Sequence, residues 1–475
     1  MVVTFPSKSC YLNPLSSITK PPSKSSNPHS KAQNIVDPLL HYCQLLSHGR
    51  FPSTIISISA LKACARLSAF KEGQTIHAQI TKAGSRSNQF IATSLIHFYS
   101  AFGHLQLARR VFDEMADRDA ALQTAMLVGY ARNGDIKIAR CVFDAMPERD
   151  TVAWNAMLSS YAQSGLPKDA LELFREMQAV KVRPNEVTLV NALSSCSQLG
   201  CLTLGEWIHA YIDREEDIKV TSTLNNALVH MYAKCGRLDA AFRVFVERRP
   251  RNLESWNTML TGFAIHGRGT SAVSLFSQII KTGLMPDKIT FICVLMACSH
   301  SGMIDHAHRC FNCMTRVYGM EPKSSHYGCM VDVLSRAGLL EEAQSLIDRM
   351  PFEPDAYIWG ALLGGCLTHR SYELGLQAAN HLLELEPWEE SRYIALANLN
   401  VIAGKLEDAV KVRNMMIQNG IKKSSGSSSI EVDGSLHEFL AGDRSHCQSK
   451  EIYSMIAKID IDLDSHEHVP SNKQP

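Results

Sequence analysis

The chain is 475 residues long, 45% apolar, 20% charged and 7% aromatic, so it has ample material for a folded core and is not a wholly disordered polymer. Length alone suggests about three ordinary domains, at roughly 150 residues each, and the lack of any long apolar run excludes a membrane-spanning helix and any insertion into a bilayer. The formal charge is +1, but Lys8, Lys20, Lys24 and Lys31 stand in an acid-free leader, and beyond them 44 basic residues face 47 acidic ones. A chain that grips nucleic acid mainly by neutralising phosphates is clearly basic, so recognition of nucleic acid here would fall largely on the bases.

The first 35 residues are rich in Ser, Pro and Lys, contain no Arg and no acid, and have no long hydrophobic stretch. They read as an organelle transit peptide, plastid in preference to mitochondrial. Residues 36–53 form a short lead-in.

From Thr54 onward the chain repeats itself. The strings around Trp154 (VAWNAMLS) and Trp256 (ESWNTMLT) lie 102 residues apart, as do the segments starting at Glu186 and Lys288. Shorter cognates divide that period into three, and nine blocks in all tile the chain, 54–88, 89–119, 120–150, 151–185, 186–221, 222–252, 253–287, 288–323 and 324–355, of 31 to 36 residues. Most blocks hold an apolar stretch at helical spacing, Gly at the fifteenth position, then a second amphipathic stretch with Ala or Gly at the twentieth. Gly supplies the positive φ of a tight helix-to-helix turn, and the small residue lets the second helix approach the first. The eleventh position alternates between a ring (Tyr99, Tyr130, Tyr161, Tyr232, Phe263) and a thiol (Cys64, Cys196, Cys298, Cys366), as core knobs of two sizes. One hairpin cannot bury its own apolar face, whereas about a dozen stacked in register share a core, so an all-α solenoid is expected.

These residues carry a family resemblance. AWNAML and SWNTML, VFDEM and VFDAMPERD, ALKACARL followed by GQTIHA, and the unequal block lengths resemble pentatricopeptide repeats of the plant P-L-S class. The resemblance spans Thr54 to Lys458 and implies a right-handed superhelix of helix-turn-helix repeats. Residues 356–423 (IWGALLGGC, ELGLQAANHLLELEP, RYIALANL, GKLEDAVKVRNMM) resemble that family's helical E extension, and 424–458 (SIEVDG, HEFLAGDRSH, EIYSMI) its E+ extension. Residues 459–475 are expected to be a disordered tail. Such proteins are organellar RNA-binding factors, and members with this ending specify sites of cytidine-to-uridine editing.

Certain polar residues recur where no core requires them. The fifth residue is Thr93, Thr124, Asn155, Asn226 and Asn257 in the non-Cys blocks, and the last residue of the same blocks is Asp119, Asp150, Asn185, Asn252 and Asp287. Asp or Asn ahead of a helix suits an N-cap, but the pairing across five blocks points to base selection. A carboxylate only accepts hydrogen bonds and suits the imino N–H of guanine or uracil, while Asn also donates and can serve cytosine or adenine. The resemblance adds that Thr goes with purine and Asn with pyrimidine, and that RNA runs parallel to the repeats. The blocks then spell 5′-n-G-G-Y-n-Y-U-n-n, shortly upstream of a target cytidine. Unread positions face Ile58 with Asn88, Val190 with Thr221, Ile292 with Lys323, and Gly328 with Asp355. By family analogy the second residue, such as Phe90 or Val152, stacks on the base; Glu254 departs from that pattern.

Catalytic chemistry is not expected. Cys310 and Cys313 form the sole Cys-x-x-Cys, without a second pair or a nearby ligand His to complete a zinc site, and read as small core residues. A zinc deaminase needs His-x-Glu ahead of its Cys-x-x-Cys; the chain has no His-x-Glu, and related members with a deaminase domain continue well past its last residue. His77 and His209 hold equivalent repeat positions and read as packing residues. The expectation is a cofactor-free factor for single-stranded organellar RNA, not DNA, most simply a plastid editing-site specifier that engages a deaminase-bearing repeat protein and accessory editing factors in trans. The alternatives are a factor for RNA stabilisation, splicing or translation, and a peptide-binding scaffold. The scaffold is disfavoured because tetratricopeptide arrays keep a regular 34-residue repeat.

Overall fold

A computed structural model describes residues 28–467, apart from positions 49, 250, 424, 425, 433, 434 and 442. Residues 1–27 of the expected transit peptide and 468–475 of the expected tail lie outside the described residues. Helix α1 (Pro28–Ser47) opens the described chain. The chain divides into two compact units, one ending at Ser164 and one beginning at Gly165.

In the first unit, α1 is followed by α2 (Thr54–Arg66), α3 (Phe70–Lys82), α4 (Gln89–Ala101), α5 (Leu105–Asp113), α6 (Ala120–Arg132), α7 (Ile136–Asp144) and α8 (Thr151–Gln163). The second unit runs through α9 (Pro167–Ala179), α10 (Glu186–Leu199), α11 (Leu202–Arg214), α12 (Ser222–Lys234), α13 (Leu238–Glu247), α14 (Leu253–Ile265) and α15 (Gly269–Lys281). It continues with α16 (Lys288–His300), α17 (Ile304–Asn312), α18 (Ser324–Arg336), α19 (Leu340–Asp348), α20 (Ala356–His369), α21 (Tyr372–Leu385), α22 (Glu390–Ile402) and α23 (Leu406–Gln418). Last come an antiparallel hairpin, β1 (Ser427–Val432) with β2 (Ser435–Leu440), and α24 (Ser449–Glu467). Helix α24 thus runs into the segment expected as tail.

Within each unit the first helices pack in series, α2 on α4, α4 on α6 and α6 on α8, then α10 on α12, α14, α16, α18 and α20 in turn. Within each unit the second helices pack on their own first helices, as α3 on α2, α5 on α4 and α7 on α6, then α11 on α10 and so on to α23 on α22, while α9 packs on α10, so both units are stacks of helical hairpins, the solenoid architecture. The twentieth-position Ala side chains (Ala108, Ala139, Ala241, Ala272, Ala307, Ala343) are completely buried. Gly205 holds the same position, and a Cβ added there would sit 2.4 Å from the sulfur of Met231, which shows why bulk is excluded. Tyr99, Tyr161, Tyr232 and Phe263 are buried, as are Cys64, Cys196, Cys298 and Cys366, while Tyr130 is only partly covered.

The fifteenth-position glycines close their turns at φ between 61° and 89°. Two blocks lack Gly there, and the backbone still takes the left-handed region: Ser68 has φ 56° and Arg370 φ 57°. The turn geometry is imposed by the packing of the hairpin, and these two side chains bear the cost.

Candidate nucleic-acid interface

The last residue of each reading block sits at the N-terminus of the next first helix, in extended conformation, and its side chain caps that helix. Asp119 Oδ1 accepts from Leu122 N–H at 2.8 Å, and Asp150 Oδ1 from Ala153 N–H at 2.8 Å. Asn185 Oδ1 accepts from Thr188 N–H at 3.1 Å, Asn252 Oδ1 from Ser255 N–H at 3.0 Å, and Asp287 Oδ1 from Thr290 N–H at 2.8 Å. The N-cap role and a reading role do not compete. The cap uses one end of the side chain, Oδ1, and does not call on the other, which is an acceptor oxygen in Asp and a donor nitrogen in Asn. The helix fixes the side chain by one arm, and the identity of the residue decides the chemistry of the second.

The fifth residues lie one turn into the first helices. Asn155, Asn226 and Asn257 are buried, with 7 to 8% of their surface exposed, and Thr93 and Thr124 are half-buried. Thr93 gives its hydroxyl proton to Gln89 O at 2.8 Å, so its oxygen is left to accept. In the block 253–287 the structure brings fifth and last residues together: Asn257 Nδ2 donates to Asp287 Oδ1 at 3.2 Å, and the Thr290 hydroxyl, which gives its one proton to the Asp287 carboxylate, also lies 2.8 Å from Asn257 Oδ1. Burial would push the Asp287 carboxyl up, but hydrogen bonds from Thr290 N–H, the Thr290 hydroxyl and Asn257 outweigh that and hold it below the ordinary carboxylate value. In the block 222–252 the two residues are not joined. Asn252 Nδ2 is directed to Ser222 Oγ at 3.5 Å, and the Asn226 Nδ2 donor has no hydrogen-bond partner among the described residues. A buried amide donor without a partner costs about 1–3 kcal/mol unless something else accepts its proton.

Phe90 and Val152, the second-position residues, project into solvent with 73% and 63% of their surface exposed. Apolar side chains held in water beside polar neighbours are available for stacking on a flat ring. The unread block 324–355 has a steric reason for its fifth residue. A Cβ on Gly328 would meet the Tyr357 ring at 2.4 Å, so a side chain there would have to displace that ring.

His77 and His209 bond the Tyr hydroxyls of the next block, Tyr99 at 2.7 Å and Tyr232 at 2.8 Å. Cys310 is buried and shares a hydrogen bond with Cys298 across α16 and α17. No cluster of three or more His, Cys, Asp or Glu among the described residues is placed to hold a metal ion, and none of the described helices is long and apolar enough to cross a membrane.

Two features were not foreseen from the sequence. One is the β-hairpin after α23, which reaches back to the repeats: Glu431 accepts from Thr203 N–H in the first turn of α11 at 3.0 Å, and Lys168 pairs with Glu438. The other is a set of first-position residues, Glu186, Ser222 and Ser324, that hydrogen-bond the last residue of their own block. Their signal was a polar first residue, in contrast to Leu253.

A stack of helical hairpins with capped, paired polar positions defines a class, the helical-repeat proteins, and comparison with known proteins supplies the family. The PPR repeat family pattern matches residues 149–198 and 251–300, the PPR repeat pattern matches 90–119, 124–151, 226–247, 289–317 and 325–353, the E motif matches 369–431 and the E+ motif 436–459. A pentatricopeptide repeat-containing protein of Arabidopsis thaliana is 44% identical over 432 residues, 91% of this chain and 70% of its own length. The chloroplastic Arabidopsis protein ELI1 is 44% identical over 434 residues, 91% of this chain and 68% of its own. A further chloroplastic Arabidopsis relative is 36% identical over 424 residues, and there the chain spans 89% of itself but only 53% of the relative. The chain belongs to the pentatricopeptide repeat-containing proteins and carries the E and E+ motifs. Among solved structures it resembles the pentatricopeptide repeat protein PPR10 in complex with an 18-nt psaJ RNA element, with TM-score 0.67 and 19% identity over 82% of this chain and 59% of PPR10.

Proposed function

We propose that the chain is a sequence-specific binding factor for single-stranded RNA in an organelle. It specifies cytidine-to-uridine editing sites and engages a deaminase-bearing partner and accessory editing factors in trans through residues 356–458. The observation that supports the RNA reading is that the helix caps engage only Oδ1 of the last residues and leave the second atom of Asp or Asn, set by residue type, outside the cap. Thr93 with Asp119 presents acceptors only, as guanine requires, and Thr124 with Asp150 repeats the pair. Asn155, Asn185, Asn226 and Asn252 supply amide donors for pyrimidines, cytosine by preference, and the partnerless Asn226 Nδ2 is the clearest of them. Asn257 with Asp287 supplies a donor and an acceptor for uracil. Phe90 and Val152 stack.

The plastid is the preferred compartment. The relatives include chloroplastic and mitochondrial proteins, which supports an organelle and leaves the mitochondrion as the alternative. Editing is tested by sequencing organellar transcripts from plants lacking the protein. Loss of conversion at one or a few cytidines preceded by G-G-Y-n-Y-U is expected. Full conversion everywhere, with loss of a transcript end or a retained intron, would transfer the same RNA grip to stabilisation or splicing.

A further inference from the structure

The RNA reading leaves the block 186–221 silent, because its fifth residue is Val190 and its last is Thr221. The structure places a third residue there. Thr221 is the N-cap of α12, and its hydroxyl donates to the carboxylate of Glu186, the first residue of α10. The same oxygen accepts from Leu224 N–H at 3.3 Å. A hydroxyl has one proton, so Thr221 has no donor left for a base. The group adjoining it is a carboxylate, which accepts only. Both residues are half-buried, neither sealed in the core nor freely mobile in solvent.

The link is a repeated feature of the fold. Asn252 Nδ2 is directed to Ser222 Oγ at 3.5 Å, and Ser324 Oγ donates to Asp355, so the first residue holds the last residue of its own block in three blocks. Where the first residue is Leu253, which offers no polar atom, the last residue bonds the fifth instead, Asn257 to Asp287 at 3.2 Å. In these three blocks a polar first residue engages the last one, whereas Gln89 bonds Asp117 and Lys288 bonds Glu321 O instead. Glu186 also brings to the N-cap register of α12 the carboxylate that Asp287 supplies at the N-cap of α16.

We propose that Glu186 is a base-selecting residue, and that the block 186–221 prefers a base bearing an imino N–H, guanine or uracil, over adenine or cytosine. The apolar Val190 leaves purine and pyrimidine undistinguished, so both are accepted. This inference rests on the RNA reading above and turns its unassigned fifth nucleotide, between the two pyrimidines, into G or U.

The test measures equilibrium binding of the purified full chain to four RNAs of the pattern G-G-C-n-C-U that differ only at n, and to their counterparts with C in place of the final U. Guanine and uracil are expected to bind at least about tenfold more tightly than adenine and cytosine, the lower end of the scale of one hydrogen bond to a charged group. Glu186→Gln should bring all four within about twofold, and Glu186→Lys, which presents donors only, should favour adenine and cytosine. In each variant the preference for uracil over cytosine at the block 253–287 should persist, which shows that the solenoid is intact. Equal affinity for all four RNAs in the native chain, or an unchanged ranking in both variants, overturns the assignment to Glu186 alone. Absence of the uracil preference at the block 253–287 in the native chain overturns the RNA reading and this inference with it.

Discussion

Asp287→Asn separates the capping and reading roles of one side chain. Asp287 spends Oδ1 on Thr290 N–H at 2.8 Å, the Thr290 hydroxyl at 2.8 Å and Asn257 Nδ2 at 3.2 Å. Asn keeps that oxygen and caps about as well as Asp. The helix loses only the favourable interaction of a full charge with its N-terminus, about 0.3–1 kcal/mol. The second atom, however, changes from acceptor to donor. Facing uracil, a hydrogen bond to a charged acceptor worth about 1.5–3 kcal/mol is replaced by two opposed N–H groups, whereas cytosine N3 gains a donor. Affinity for RNA with uracil at this position should fall roughly 10- to 100-fold, and the cytosine form should become the better ligand. The assay is equilibrium binding to two RNAs differing at that nucleotide, with hydrogen exchange across α16 as the stability control. An equal loss of affinity for both RNAs, accompanied by weakened protection of α16, would refute the argument and reduce Asp287 to a cap.

Arg370→Gly relieves a left-handed residue at φ 57°, whose cost of about 1–2 kcal/mol exceeds the extra unfolded-state entropy of Gly, about 0.4–1 kcal/mol; slower hydrogen exchange in α20 and α21 by several-fold is expected, and none would show that the turn is unstrained. His326 is fully buried; it accepts from Lys323 N–H at 3.1 Å and donates to Lys288 O at 3.0 Å, so it is held neutral, and burial lowers its pKa. Its contribution is complete above the unfolded value of about 6.5 and is lost as pH falls below it, at up to about 1.4 kcal/mol per pH unit; His326→Gln should flatten the acid limb of a denaturation series monitored in α18. Glu431→Ala removes the anion at the first turn of α11, worth about 0.3–1 kcal/mol, so the Thr203 amide should exchange about two- to fivefold faster. An unchanged rate there would mean that the hairpin does not hold α11.

The solenoid was legible because its determinants are local and repeated. A cap, a Gly fifteen residues in and a small residue at the twentieth position fix one hairpin, and the series from Ala108 to Ala343 shows the same constraint met again and again in the buried seam. Ser68 and Arg370 show how far repetition reaches, since the turn persists where its usual residue is missing. What the pattern did not disclose depends on contacts between residues far apart in sequence. Thr203 meets Glu431 across 228 positions, and no periodicity encodes that meeting. The reading positions fall between these extremes. Their residue types stood out as polar exceptions, but N-capping and base selection remained rivals in one dimension, because a sequence cannot show which oxygen is used. At Asp287 the cap consumes Oδ1 and the residue type determines what the other arm presents, so capping leaves room for the proposed base selection. The same reasoning explains Gly328, which looked like a missing reader and is a residue cleared to admit Tyr357. It also bears on Glu186, whose bond to Thr221 joins residues 35 positions apart. On the proposed reading, a solenoid that selects bases through its helix caps needs no excess of cations to define its register, and a net charge of +1 is consistent with that.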